Sequence, residues 1–256
     1  VYGTLATISK CLITNSSNLV DGGALWDVDG LISHCKIINN GTSDAYDVYG
    51  GGLSNCDGTI NNCYIIGNSA NYGGAMYNCN AAIYHCTIAG NISEFEGAVS
   101  NCSGTMDHCI VWDNTVSDFY NSTFAITYSC YPGAASGGTN ISTDPMFRRL
   151  PGSYYYLGTN SPCINAGDPS YTPEPDDVDI DGEARVLLGR IDIGADETEA
   201  IVTVTKPAEG DIWTEGSQHT ITWSGGLDNV DISYSVNGGP PVSIVTNTPN
   251  TRDYAW

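Results

Sequence analysis

Basic residues are scarce: Lys and Arg number 8 against 29 Asp and Glu, a formal net charge of −21. A field of that sign repels a phosphate backbone or an anionic polysaccharide, so no nucleic-acid partner is expected. Also missing is any apolar run of the ~18 to 20 residues that a membrane span requires. No charged-then-apolar leader opens the chain, which begins at Val1 inside repetitive sequence and reads as a processed product with no membrane span. Long apolar stripes of helical period are absent, and none of the 10 cysteines forms the short CxxC pair of a zinc site. What remains is low in charge (14%) and rich in Gly, Asn, Ser, Thr and Tyr, a composition typical of secreted surfaces. The 256 residues suffice for one large domain with a small one beside it.

The sequence is repetitive. Cys11, Cys35, Cys63, Cys86, Cys109 and Cys130 recur with a period near 23. Ten positions before the middle four stand Leu25, Leu53, Met76 and Val99; seven before stand Val28, Cys56, Cys79 and Cys102. Ile8, Ile32, Ile60, Ile83 and Met106 precede the cysteine by three, and Ile13, Ile37, Ile65, Ile88 and Val111 follow it by two. Asn40, Asn68, Asn91 and Asn114 close each period, and a two-glycine turn recurs at Gly22-Gly23, Gly50-Gly51 and Gly73-Gly74. Short alternating apolar runs at this period predict a β-solenoid of about six coils, one per repeat, because helical repeats need 30 or more residues. Equivalent residues then stack about 4.8 Å apart, so each column becomes a ladder. An Asn in such a column can bond the backbone of the next coil.

One coil carries five extra residues between Asn40 and Gly50, with Asp44, Tyr46, Asp47 and Tyr49. Such an insertion forms a protruding loop, either a contact surface or a tolerated surface insertion.

The Gly-Gly-Ala-aliphatic element (Gly22 to Leu25, Gly73 to Met76) and the aliphatic-x-x-Asn element (Ile37 to Asn40, Ile65 to Asn68, Ile88 to Asn91, Val111 to Asn114) resemble the paired repeats of polymorphic outer-membrane proteins and related right-handed parallel β-helix proteins of bacterial surfaces, with Ile or Val where that family has Phe. The resemblance implies a surface-exposed, adhesin-like or structural protein and brings no catalytic residues. Residues 144–197 resemble the segment that ends many secreted bacterial β-helices, through Asp144-Pro145, Ser161-Pro162 to Asp168, and Asp179-x-Asp181-Gly182, Arg185 and Asp192-Ile193-Gly194-Ala195-x-Glu197. An end-cap is expected there, since a last coil otherwise bares strand edges and an open core. From about residue 200 the alternating runs Ile201 to Thr205, His219 to Trp223, Val230 to Ser235, Val242 to Val245 and Asp253 to Trp256 read as a small antiparallel sandwich. It resembles the immunoglobulin-like module of yeast cell-wall synthesis proteins and bacterial extracellular proteins, through Pro207, Trp213, Gly216 and Ile221-Thr222-Trp223, with at least one further strand expected.

Inward thiols stacked coil on coil pack as small hydrophobes, with disulfides between neighbouring columns as the alternative. His34, His85 and His108 each precede a column cysteine and are expected outward, as a solvated polar ladder; His85 and His108 sharing a metal ion is the competing reading. Asp177-x-Asp179-x-Asp181-Gly182 is the opening half of a calcium loop, with Leu188 where the bidentate Glu would stand. The stretch is therefore either a calcium site with Asp177, Asp179 and Asp181 as ligands, or a turn rich in Asp and Gly. Sequons at Asn15, Asn40, Asn91, Asn101, Asn121 and Asn140 would permit glycosylation.

Pectate lyases and polygalacturonases share the parallel β-helix fold, so an enzyme must be weighed. The repeats contain only Lys10 and Lys36 as permanent cations and no repeated carboxylate face, so no catalytic set emerges. The sequence thus leads to an all-β chain: a right-handed parallel β-helix with a cap region over 1–198, then an immunoglobulin-like sandwich over 199–256. The expected role is that of a non-catalytic extracellular or cell-surface structural or adhesive protein, self-associating or binding cell-surface glycans or proteins. Head-to-tail filament growth is a sharper version, and a carbohydrate-active enzyme acting through residues 41–49 is the rival class.

Overall fold

The computed structural model describes residues 2–17, 23–41, 47–148, 155–158, 160–187, 189–198, 203–224, 229–249, 251 and 253–256. Gly22, Asp44, Tyr46, Leu188 and Ile201, on which expectations above rest in part, lie outside them. The chain divides into two compact units, Val1–Thr198 and Glu199–Trp256. Among the described residues the regular elements are strands and none is a helix.

The first unit is a parallel β-solenoid of about five turns with three faces. The first sheet stacks Tyr2–Thr4, Leu25–Val28, Leu53–Ser54, Met76–Tyr77, Val99–Ser100 and Phe119–Tyr120. The second stacks Ile8–Ser9, Leu31–Ser33, Thr59–Asn61, Asn80–Tyr84, Ser103–Asp107 and Thr123–Thr127. The third stacks Leu12–Thr14, Lys36–Ile38, Tyr64–Ile66, Thr87–Ala89 and Ile110–Trp112. Five turns therefore visit all three faces, and a sixth has only an isolated bridge, Cys130 to Ile110, on the third. Register follows the sequence columns: Leu53 pairs with Leu25 and Met76, Ile83 with Ile60 and Met106, and Ile88 with Ile65 and Val111. These columns meet in one core, where Leu25, Ile32, Ile37, Leu53, Ile60 and Ile65 are fully buried. Each such side chain contributes roughly 1.5 to 3 kcal/mol.

Bends between faces are made by single residues in the left-handed region, which short polar side chains tolerate best. Asp27, Asn55, Asn78, Asn101 and Asn121 turn the chain from the first sheet to the second. Lys10, His34, Asn62, His85, His108 and Tyr128 turn it from the second to the third. In the two-glycine turn the demand is for space: a Cβ on Gly51 would run into the carbonyl oxygen of Gly74 one turn away.

The repeated cysteine follows the left-handed bend in most turns, and from Cys35 to Cys109 it is buried. Cys63 Sγ donates towards Asn61 O at 3.2 Å and accepts the Cys35 N–H at 3.5 Å. Cys79 does the same with Tyr77 O and the Cys56 N–H. The thiols are thus hydrogen-bonded links, not only small hydrophobes, and all 10 cysteines are free. One assignment is corrected. The last turn is 20 residues long, and Ser129 Oγ and Ser122 Oγ accept the N–H of Cys109 and Cys102. The shortening falls between Asn114 and Phe119, so Cys130 slips one place, out of the inner column and onto the outer side of the third sheet.

The asparagine column forms as expected. Asn68 Oδ1 accepts the backbone N–H and side-chain amide of Asn40, both at 3.0 Å, while its own amide donates to Ile37 O at 2.9 Å. Asn91 repeats this with Asn68 and Ile65. Asn40 and Asn91 are buried, so these two sequons offer no acceptor in the folded chain.

The segment expected to cap the last turn lies elsewhere. The open core there meets the aromatics Phe119, Phe124 and Tyr131. The described residues between 155 and 198 instead run back along the outer side of the third sheet as a strap. Ile193, Leu157 and Cys163 pack on Ile110 and Cys130, and further back Ile180 and Ala195 pack on Ile38, Tyr64 and Ile66. The reason is compositional: that sheet carries apolar residues on both faces, and a parallel sheet of this kind must be covered on both sides.

The second unit has a three-stranded antiparallel sheet of Thr203–Lys206, Thr220–Ser224 and Asp253–Ala255, and a hairpin of Asn229–Tyr234 with Val242–Pro249. Ile221 and Trp223 are its buried centre, and Trp213 stacks on His219 at 4.6 Å.

Candidate functional site

Chemistry-bearing side chains converge where the strap crosses the bend between the second and third sheets. Asp179, fully buried, is the strap's local organiser. Its Oδ1 accepts the N–H groups of Asp181, Gly182 and Glu183 at 2.8 to 2.9 Å, and its Oδ2 accepts that of Glu197 at 3.0 Å. A carboxylate before Gly182, which adopts φ +94°, makes this tight turn self-satisfied.

Arg185 is fully buried and donates to Asn62 Oδ1 at 3.0 Å, Ala195 O at 2.9 Å and Gly194 O at 2.5 Å. Glu197 Oε1 lies 3.5 Å from its Nη2 and accepts the Asp192 N–H at 2.9 Å. Asp192 in turn accepts the N–H of Asn165 and of Thr198. Gly194 sits at φ +119°, a conformation that other residues rarely adopt, and a Cβ there would be 2.9 Å from Ile110 Cδ1, so glycine suits this close approach of strap to sheet.

Burial pushes the nearby carboxyls up. Glu197 is raised to about 9 although Arg185 opposes the shift. Asp196 rises to about 8, burial first and then the charge of Asp179 and Asp181, and burial lifts Asp192 to about 6. Asp196 and Glu197 therefore keep their protons at neutral pH.

The histidines line up outside the bend as expected, but His85 and His108 are not solvated: the strap covers both. His108 is bonded at both ring nitrogens, Nδ1 to Asp107 Oδ2 at 2.8 Å and Nε2 to the Asp168 N–H at 2.8 Å. The carboxylate that orients His108 is Asp107, one residue before it. His85 lies 5.0 Å from the His108 ring and 5.5 Å from Tyr171, and its Nδ1 finds no hydrogen-bond partner among the described residues. Burial holds His85 well below the usual imidazole range, with Arg185 and His108 adding to the effect. With both nitrogens of His108 engaged, the pair cannot bind a metal without breaking existing bonds.

The three aspartates of the calcium reading have separate partners. Tyr171 Oη donates to Asp177 Oδ2, Asp179 is held as above, and Asp181 takes Lys36 Nζ at 2.6 Å and Tyr156 Oη at 3.0 Å. No group of three or more His, Cys, Asp or Glu among the described residues is placed to hold a metal ion. Beside Asp181 opens a groove of about 370 Å³ lined by Lys10, Cys11, His34 and Lys36, where the Lys36–Asp181 pair neutralises one of the two lysines.

At the bend after the third sheet, a second group forms an aromatic stair: Tyr49 stacks on Tyr72 at 4.9 Å, and Phe95, largely exposed, follows Tyr72 at 5.4 Å. Tyr49 is the described aromatic of the inserted loop, and its neighbours on the stair come one from each of the next two turns.

Sequence reasoning found the aspartates and histidines but missed Asn62, Arg185 and Glu197 as a unit. Their signal was present in the closing motif, where an Arg between two acidic stretches must find partners once buried. Comparison with protein-family models, curated proteins and solved structures finds no match for this chain.

Proposed function

We propose that the chain is a non-catalytic, extracellular or cell-surface structural or adhesive rod, a right-handed parallel β-helix followed by an immunoglobulin-like module. The observation that carries this reading is the engagement of the buried polar groups: Arg185 and Glu197 bond backbone and lie against each other within the strap, and Asp179, beside the groove, has both carboxylate oxygens taken up by backbone N–H groups. Groups held so firmly by structural bonds are poor acids, bases or nucleophiles, since each would lose a buried partner on reacting. The aromatic stair, half-buried at Tyr49 and Tyr72 and exposed at Phe95, and the acidic surface then serve contact with cell-surface glycans or proteins. Among the described residues no helix is long and apolar enough to cross a membrane. Filament growth by self-association is part of this proposal, and negative-stain electron microscopy of concentrated native protein should show regular fibres; isolated short rods would remove the filament from it.

A carbohydrate-active enzyme is the second reading, favoured by Asp47 lying two residues before Tyr49 at the foot of the stair. Incubation with a panel of neutral glycans separates the two. Turnover abolished by Asp47→Asn would overturn the structural assignment, and no released product is the expected result.

A further inference from the structure

Cys130 and Cys163 stand apart from the ladder thiols. The slip in the last turn faces Cys130 outward, and the strap brings Cys163 onto it; both are fully buried in one cluster with Ile110, Leu157 and Ile193. Cys130 Sγ donates to Thr143 O at 3.3 Å, and the neighbouring Cys130 thiol, together with burial, pushes the Cys163 thiol up. One sulfur belongs to the solenoid and the other to the strap, so their approach is across a packing interface.

The ladder cysteines are placed differently. In-register parallel strands hold equivalent Cβ atoms about 4.8 Å apart, beyond the roughly 3.5 to 4.5 Å a disulfide requires. The sulfurs of Cys63, Cys79 and Cys102 also accept the backbone N–H groups of Cys35, Cys56 and Cys79 in the adjoining turn. Pulling two rungs together would break those bonds on both sides. No such ladder clamps Cys130 to Cys163.

We propose that Cys130 and Cys163 are a disulfide-forming pair that ties the strap covalently to the last turn. The oxidant is a low-molecular-weight disulfide of the glutathione class. Opening of the strap lets one thiolate attack the small disulfide, releasing one small thiol and leaving a mixed disulfide. The second thiolate then displaces the other small thiol. Two protein S–H bonds are lost and one protein S–S bond forms, while the small disulfide gains two electrons and two protons as two thiols. Because both thiols are covered, formation is slow in the closed protein and accelerates when the strap is loosened. The inference is independent of where the protein works.

The test uses the full chain, incubated with oxidised glutathione at mildly alkaline pH or kept in excess dithiothreitol, followed by non-reducing peptide mapping and thermal melting. The expected result is a Cys130–Cys163 cross-linked peptide two hydrogens lighter than the sum of its parts. The oxidised protein should melt about 10 °C higher, as closing a loop of about 30 residues implies for a unit of this size. Cys163→Ser and Cys130→Ser should each abolish both the cross-link and the shift. Cross-links confined to ladder cysteines, or both residues found only as free thiols or glutathione adducts, would overturn the proposal, and the mapping decides this on the natural chain even if a variant folds poorly.

Discussion

Arg185 reaches out of the strap and donates through Nη1 to Asn62 Oδ1, 3.0 Å away at the bend between the second and third sheets. Asn62 occupies a left-handed position, φ 51°, that in neighbouring turns holds His34 and His85. The same column that shapes the bend therefore also receives the strap.

Removing the guanidinium leaves three buried acceptors, Asn62 Oδ1, Gly194 O and Ala195 O, without donors. Arg185→Ala should destabilise the first unit by about 3 to 5 kcal/mol. Arg185→Lys should recover little, because one ammonium cannot reproduce the planar fork that spans Gly194 O, Ala195 O and Asn62. Chemical denaturation compares the three; a lysine variant as stable as the original would show that charge alone matters.

The carboxyl cluster and His85 give stability opposite pH dependences. His85 is depressed by burial, so the unfolded chain binds a proton that the folded chain refuses, and stability falls as pH drops below about 6.5. Asp192, Asp196 and Glu197 are raised to about 6, 8 and 9, so the folded chain keeps protons that the unfolded chain releases near pH 4. Their stabilisation is complete at low pH and is lost as pH rises through those values. Between about pH 6.5 and 8 this second effect dominates and Tm should decline; above that window the buried thiols, also raised, deepen the fall. Glu197→Gln, which retains an acceptor for the Asp192 N–H, should flatten that decline; an unchanged slope would assign it to other groups.

Asn68 satisfies two donors of Asn40 and the carbonyl of Ile37 from a fully buried position. Asn68→Ala should cost about 2 to 4 kcal/mol, the sum of buried groups left unpaired. Asn114→Ala should cost less, since Asn114 is partly exposed. Equal losses in urea titrations would argue against a buried-ladder effect.

Ser122 and Ser129 perform in the last turn the acceptor role that cysteine performs earlier. Cys79, which accepts the Cys56 N–H, is the residue to change: Cys79→Ser should cost under about 1.5 kcal/mol, whereas Cys79→Leu overpacks the bend and should cost about 1 to 3 kcal/mol. Thermal melts under reducing conditions check the ranking.

If Asp177, Asp179 and Asp181 act as their hydrogen bonds suggest, calcium and chelator should leave Tm unchanged, while Asp179→Asn lowers it by disturbing the four N–H groups its carboxylate holds. A calcium-dependent rise in Tm that the same substitution removes would restore the metal reading.

The solenoid was legible because its columns repeat: Ile60, Ile83 and Met106 are spaced by the turn itself, so periodicity alone gave register and inward face. Cys130 escaped because a fixed period hides a turn that has shortened. The strap's route escaped for a deeper reason. Its contacts join residues as distant as His34 and Val178, and no local pattern encodes such a pairing. A clue did exist in the outward positions Tyr64, Ile66 and Ile110, apolar where a solvated face would be polar, which marks the third sheet as covered. By contrast the outward residues of the second sheet, Asn61 and Asp107, are polar and report no such cover.

A stack of repeats ordinarily frays from its ends, each turn answering only to its neighbours. Here the strap joins the last turn, through Cys163 and Ile193, to the second, through His34 and Lys36. The spool is tied shut, so peeling at one end must also loosen a remote turn. Melting of this unit should then pass as a single event in calorimetry, and a pull along its length should meet one large resistance rather than a series of small, equal steps.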